Sequence, residues 1–405
     1  MQKQRTSSQG GGSSPHGMPH LDMIRGVAAL AVAVGHVRAL FFVSFGQIQG
    51  ATGLHKVLYG ATSLGHQAVI VFFVLSGFLI TRSVLRGWNA GQWSWPLYLI
   101  NRGARLYVAL IPALLLTAAC DWAGRHTAQG AWLYQIADPL FGPQPFLADF
   151  TWRAFAGSAA FLQTIATPCF GSDQPLWSLA NEFWYYLFFP ALLYAATPRV
   201  AIGKRIAYAG LLAIGLWFVR QSIAVYFLVW LMGSSIAWVT LARMPSSRKA
   251  AIVLAGLAAA CIAGPWIAGR GALADFGLGA IMSLVVWAAW SREGFPVGGA
   301  YRRLAALLAG FSYTLYVSHF PLLVLARAII LPGARWQPTA AALAAGAAIL
   351  SGALLCAFAL SRVTEAKTGA ARAFLVSLIR PGIRKKPAEP AAGSELAASR
   401  SATPE

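Results

Sequence analysis

Runs of about 20 apolar residues, each long enough to cross a hydrocarbon layer roughly 30 Å thick, recur along this chain between short polar stretches. They fall near 24–44, 66–85, 104–121, 174–195, 204–219, 221–240, 250–268, 271–290, 304–328 and 339–361. Ten such runs predict an all-α fold, a polytopic membrane helix bundle of about ten transmembrane helices. The runs are apolar on every side, so no amphipathic period is present to be read. Almost no polar loop separates the runs that meet at Arg220 and at Gly269, and no internal repeat is evident. The pattern divides the chain into three parts: a disordered N-terminal segment over 1–20, a transmembrane domain over 21–366, and a basic juxtamembrane stretch with a disordered tail over 367–405.

Composition agrees with the pattern. The 405 residues are 58% hydrophobic and only 11% charged, against about 25% charged in soluble domains. Mean hydropathy is +0.60. The formal net charge of +20 therefore calls for a membrane explanation, and no basic-aromatic module of the kind that binds nucleic acid is visible. Of the Lys and Arg residues, 23 fall on the side shared by both termini and 8 on the other, with Arg25 at the boundary. The positive-inside rule then puts both termini in the cytoplasm, which also demands an even number of spans. Residues 1–20 have no apolar core, so the first span is expected to act as its own uncleaved insertion signal. The four cysteines (Cys120, Cys169, Cys261 and Cys356) lack metal-ligand spacing and read as buried apolar fillers. A disulfide between Cys120 and Cys169, both near the outer face, is the other reading.

A few polar residues stand inside or beside the greasy runs. Arg25 and His36 are eleven positions apart, three helical turns and roughly 16 Å, which places both on one face of the first span. A neutral imidazole within the hydrocarbon can persist as a proton acceptor, and ionisable groups at that depth point to function. Arg102 and Arg105, three apart at the cytoplasmic boundary, share a helical face. Paired guanidinium forks suit phosphate oxygens, while the same residues also suit plain anchoring of a helix end. Glu182 lies about two turns below the outer boundary with Tyr186 one turn further on. A carboxylate there needs a cation, a histidine or hydroxyls. It is expected either to tie helices together or to orient His36 or an acceptor hydroxyl. Ser76 with Gly77 reads as a close-packing site, with a serine nucleophile as the sharper alternative. His319 is a second intramembrane histidine, and Asp275 reads as interfacial and structural. The long outer connection from Asp121 to Asp173 carries Asp138 and Asp149 and many aromatic residues. It is expected to form a packed cap or a re-entrant segment, its rings anchoring at the interface or stacking on sugar.

Five blocks in fixed order carry a family resemblance. They are Leu21-Asp-x-x-Arg-Gly through His36, Phe72-Phe-Val-Leu-Ser-Gly-Phe, the Arg102/Arg105 pair, Trp177-Ser-Leu with Glu182 and Tyr186, and Ser312-Tyr-Thr-Leu-Tyr with His319. Over about Leu21 to Glu365 the chain resembles the integral-membrane acyltransferases of acyltransferase family 3, which modify surface and exported carbohydrates in bacteria. The resemblance implies His36, Glu182 and Tyr186 as catalytic residues, and Arg25, Arg102 and Arg105 as the seat of acyl-CoA. Acetyl-CoA is the implied donor, with no permanently bound cofactor and no metal. The implied acceptor is a carbohydrate or lipid-linked saccharide, and the implied place is the bacterial inner membrane among its lipids. The final span ends Val363-Thr-Glu-Ala, where relatives commonly place a proline after the glutamate, so Glu365 is carried over with little weight. A transporter of a glycan or small anion would use the same intramembrane Glu, His and Arg. It would ordinarily show repeats and paired broken helices, which this sequence lacks.

Overall fold

The computed structural model describes residues 18–137, 144–240, 271–292, 296–331 and 333–379. Among them the chain is helical, and its only bridged pairs are isolated ones, Phe42 with Trp336 and Gln163 with Thr167. The helices are α1 (Pro19–Phe41), α2 (Gly53–Ala61), α3 (Gly65–Asn89), α4 (Trp95–Arg125), α5 (Trp132–Gln135), α6 (Trp152–Ala159) and α7 (Trp177–Ala196). They continue with α8 (Ile202–Phe218), α9 (Gln221–Thr240), α10 (Ala272–Ser291), α11 (Gly299–Ile330), α12 (Ala340–Val363) and α13 (Thr368–Ile379). In hydrocarbon each backbone N–H and C=O must find a partner within the chain, which leaves helices as the solution for continuous apolar runs. Pro19 and Pro96 sit in the first turns of their helices, where a missing N–H costs nothing. Thr52, Thr151 and Thr339 cap α2, α6 and α12 by accepting from backbone N–H groups.

Among the described residues, seven stretches are long and apolar enough to cross a membrane: Pro19–Phe41, Gly53–Asn89, Trp95–Arg125, Gln221–Trp238, Ala272–Ser291, Gly299–Ile330 and Ala340–Ile379. The protein is a multi-pass membrane protein. The ten runs read from the sequence include three more, two of which fold as helices α7 and α8. Helix α7 is diluted by Asn181, Glu182 and several Trp and Tyr residues, and α8 has only 17 residues. The run at 250–268 lies outside the described residues. Beyond the expected boundary at 366, residues 368–379 form α13, which packs on α4. Its Ala-Phe-Leu-Val-Ser-Leu-Ile segment is apolar enough to dock, although it stands in a basic stretch.

Two helix pairs set the frame. Helix α1 lies along α11, and α3 lies along α9. Both contacts need glycine. A Cβ on Gly26 would stand 2.4 Å from the Leu308 Cβ, and a Cβ on Gly77 would stand 2.0 Å from the Trp230 carbonyl oxygen. Small residues admit such backbone approach in membrane bundles, so the packing expected of the Ser76-Gly77 pair resides in Gly77.

The described residues of the connection from Asp121 to Asp173 fold as a packed cap. Asp121, at the end of α4, accepts from the Ser172 N–H and hydroxyl, both at 2.7 Å. Tyr134 and Phe146 pack over Phe320 of α11, within one apolar cluster. Cys120 and Cys169 are both buried free thiols, so no disulfide joins them, whereas Cys356 on α12 is exposed rather than buried and Cys261 lies outside the described residues.

Candidate active site

His36 and His319 meet. Helices α1 and α11 bring His36 Nδ1 within 2.8 Å of His319 Nε2, with the rings 14° from parallel. His319 is fully buried. Its Nδ1 lies 2.9 Å from the carbonyl oxygens of both Leu315 and Tyr316. Carbonyls only accept, so His319 Nδ1 must carry a proton and its Nε2 must be the lone-pair nitrogen. His36 Nδ1 is then the donor across the 2.8 Å contact, and His36 Nε2 keeps its lone pair. This assignment holds for two neutral imidazoles, each with one N–H and one lone-pair nitrogen. Pro321, two residues beyond His319, withholds an N–H from the helix ladder at this point. The Tyr316 hydroxyl pins the same turn to α7 through Ser178 (2.5 Å) and the Pro175 carbonyl (3.2 Å).

His36 stands in the wall of a cavity of about 1800 Å³, shared with Trp177, Tyr226, Asp275 and the cap residues Asp149 and Gln174. Arg25, Arg102, Arg105, Glu182 and Tyr186 contribute nothing to that wall. They gather in a second cluster. Tyr186 donates a short hydrogen bond to Glu182 Oε1, and Ser76 donates to the same oxygen at 3.0 Å. Trp230 in turn donates to Ser76 Oγ at 3.2 Å, so the Ser76 hydroxyl is committed to holding Glu182. Arg102 lies over the rings of Tyr98 and Tyr186, at 5.6 and 5.9 Å. Arg105 has Glu182, Glu365, Tyr186 and Tyr313 as electrostatic neighbours, and Arg25 shares Glu182 and Glu365.

Arg25 pairs with Asp22 at 3.1 Å and donates to the Ala309 carbonyl at 3.3 Å. Among the described residues, no carboxylate lies within ion-pair distance of Arg102 or Arg105. The buried Arg25 Nε and Arg102 Nε, both donors, are left without hydrogen-bond partners. Buried polar atoms are ordinarily satisfied, so these unpaired guanidinium donors are chemically suited to an anionic group.

The structure therefore joins Glu182 to Tyr186 and Ser76, and His36 to His319, as two separate constellations. The imidazole of His36 is oriented by His319 and not by Glu182, one of the partners expected from sequence. Glu365, given little weight on sequence, accepts from the Thr314 N–H at 3.2 Å and from its hydroxyl at 3.3 Å. Its carboxylate is thereby fixed beside the arginines. Asp275, expected as a plain interfacial residue, accepts from His66 Nε2 at 2.8 Å and from the Tyr226 hydroxyl at 2.9 Å. Neither His66 nor Tyr226 carries a motif that sequence reasoning could use.

The family model described as an acyltransferase domain, Acyl_transf_3, matches residues 18–362. The chain belongs to the acyltransferase 3 family. It is similar to the protein named acyltransferase MdmB of Streptomyces mycarofaciens, at 27% identity over 46% of this chain and 42% of that protein. It is also similar to an O-acetyl transferase of Shigella phage Sf6, at 36% identity over 24% of each chain. The chain spans less than half the length of these curated relatives. No solved structure matches it.

Proposed function

We propose that this acyltransferase 3 member is a membrane-bound O-acyltransferase that moves an acyl group, acetyl in the first instance, from cytoplasmic acyl-CoA to a hydroxyl of a surface or exported carbohydrate. In this reading the chain resides in a bacterial inner membrane with both termini in the cytoplasm. The observation that carries it is the histidine pair, in which His36 Nε2 is held as an unprotonated acceptor at a cavity wall by the bond from Nδ1 to His319. An unprotonated base within reach of a hydroxyl is what acyl transfer requires.

The phosphates of the donor would lie on Arg25, Arg102 and Arg105. From there a pantetheine arm would run along α1 for the roughly 16 Å of rise between Arg25 and His36. His36 Nε2 takes the proton of the acceptor hydroxyl as its oxygen bonds to the thioester carbonyl carbon. The carbon–sulfur bond then breaks, and the same proton passes to the departing thiolate to give CoA. His319 supports the imidazolium by continuing to accept from Nδ1. Glu182, held by Ser76 and Tyr186, supplies the counter-charge that sets Arg105, and Glu365, held by Thr314 of α11, does the same.

Purified protein given acetyl-CoA should release CoA, and His36→Ala should abolish release while remaining monodisperse. Release that survives the substitution removes His36 as the base. Wild-type protein that neither releases CoA nor binds acetyl-CoA overturns the reading and returns the charged residues to a transport pathway.

A further inference from the structure

The cavity that holds His36 has a second polar constellation, built by helices far apart in sequence. His66 from the start of α3, Tyr226 from α9 and Asp275 from the first turn of α10 converge there. Asp275 is nearly buried, with a side-chain exposure of 12%, whereas His66 is 47% exposed. Each carboxylate oxygen of Asp275 already accepts one hydrogen bond from the protein, and each retains capacity for another. The buried Gln67 Oε1, in the same wall, has no partner. The rings of Trp177 and Tyr226, with centroids 5.9 Å apart, supply flat apolar surface beside these acceptors. Convergent hydrogen-bonding groups next to aromatic faces are the makings of a small-molecule site.

The charges in the wall narrow the ligand. Among the described residues, Arg38 and Arg220 are offset by Asp149 and Asp275, and the three arginines assigned to the donor lie elsewhere. That balance among the described residues suits a ligand without phosphates, rich in hydroxyl donors and with apolar C–H faces for the rings. We infer that Asp275, His66 and Tyr226, with Gln67 and Trp177, form the acceptor subsite, and that they bind a neutral cyclic polyol of the pyranose class and present one hydroxyl to His36. The inference rests on the proposed acyltransferase reading and adds the residues that select its second substrate.

The test uses full-length protein in lipid nanodiscs with acetyl-CoA and a panel of methyl glycosides, read by mass spectrometry of the acylated product. At least one glycoside should be acylated with a saturable rate. Its KM should rise about tenfold in Asp275→Asn and about threefold in Tyr226→Phe, from the loss of one hydrogen bond or the weakening of a charged one. The acetyl-CoA KM should stay within about twofold, because the donor arginines lie outside this wall. Tyr226→Phe keeps the ring and its packing, so it reads the hydrogen bond even if the Asp275 variant fails to fold. Glycoside KM values unchanged in the folded variants overturn the subsite. So does wild-type protein that releases CoA but acylates no glycoside, an outcome that leaves the acyltransferase reading intact. Wild-type protein that cannot use acetyl-CoA at all overturns both.

Discussion

Replacing His319 by phenylalanine removes the acceptor that fixes the tautomer of His36 while keeping a flat ring in a fully buried site. The His36 Nδ1–H then faces no acceptor where one stood at 2.8 Å, and an orphaned buried donor costs about 1–3 kcal/mol. That penalty favours ring orientations and tautomers in which Nε2 is no longer a free base. At about 1.4 kcal/mol per decade, kcat for acyl transfer should fall roughly 10- to 100-fold. The loss should stay smaller than in His36→Ala, where the whole general-base contribution of about 10²–10⁴ disappears. His319→Gln places an amide oxygen in reach of Nδ1 and should recover kcat to within about tenfold of wild type. Acetyl-CoA KM should not move in either variant, because the arginine cluster lies outside the histidine contact. Nitrogen NMR of histidine-labelled protein gives the independent readout, with His36 unprotonated at Nε2 in wild type and in the glutamine variant but not in the phenylalanine variant. A phenylalanine variant within about twofold of wild type, or a glutamine variant no better than phenylalanine, would refute the tautomer argument.

Four further outcomes are expected. Arg102→Ala combined with Arg105→Ala should weaken acetyl-CoA binding at least about tenfold, since charge-assisted bonds are worth about 1.5–3 kcal/mol each; calorimetry showing unchanged affinity would remove the donor assignment. Gly77→Ala should lower the melting temperature or prevent insertion, because its methyl would stand 2.0 Å from the Trp230 carbonyl oxygen and such overpacking costs about 1–3 kcal/mol or more. Cysteine at Gly103 should be labelled from the cytoplasm and cysteine at Ala128 from outside. Ala128 is chosen because it is exposed, while neighbouring Gly130 faces the Ala328 carbonyl; the reverse labelling would invert the topology. Burial and the nearby Asp121 carboxylate hold the Asp173 carboxyl well above its ordinary value of 3.8. The folded cap thus binds a proton that the unfolded chain has released, and its stability falls as pH rises from about 3.8 through the raised value. Asp173→Asn should flatten that fall in melting scans, and a slope identical to wild type would count against it.

The membrane helices are legible in the sequence because hydrocarbon imposes a length and a composition that no soluble helix must meet. Helix α7 stands outside the seven stretches apolar enough to cross a membrane. Glu182 lowers its apolar character because it serves Ser76, Tyr186 and the arginine cluster, while Tyr185 and Tyr186 are buried among neighbouring helices. Arg25, Arg102 and Glu182 are legible as anomalies, each polar where lipid disfavours polarity. Their partners are not. His319 carries no spacing relation to His36, and the bond between them exists only once α1 and α11 pack. Asp275 looks merely structural in the sequence because its two partners come from α3 and α9, too distant along the chain for any motif to register. Glu365 looks marginal there for want of a neighbouring proline, although its place in the fold depends on Thr314 and the arginines and not on the next residue.

The histidine contact spans 283 residues, and this separation bears on how the protein is made. Ribosomes add about 5–20 residues per second, so roughly 15–60 s pass between synthesis of the two imidazoles. During that interval α1 is already in the bilayer with an untuned base and no acceptor for Nδ1–H. On the proposed reading, a chain stalled or clipped before α11 would hold the arginines of α1 and α4 with His36 still lacking its acceptor. On that reading, arrival of α11 is the step of synthesis that sets the tautomer of His36.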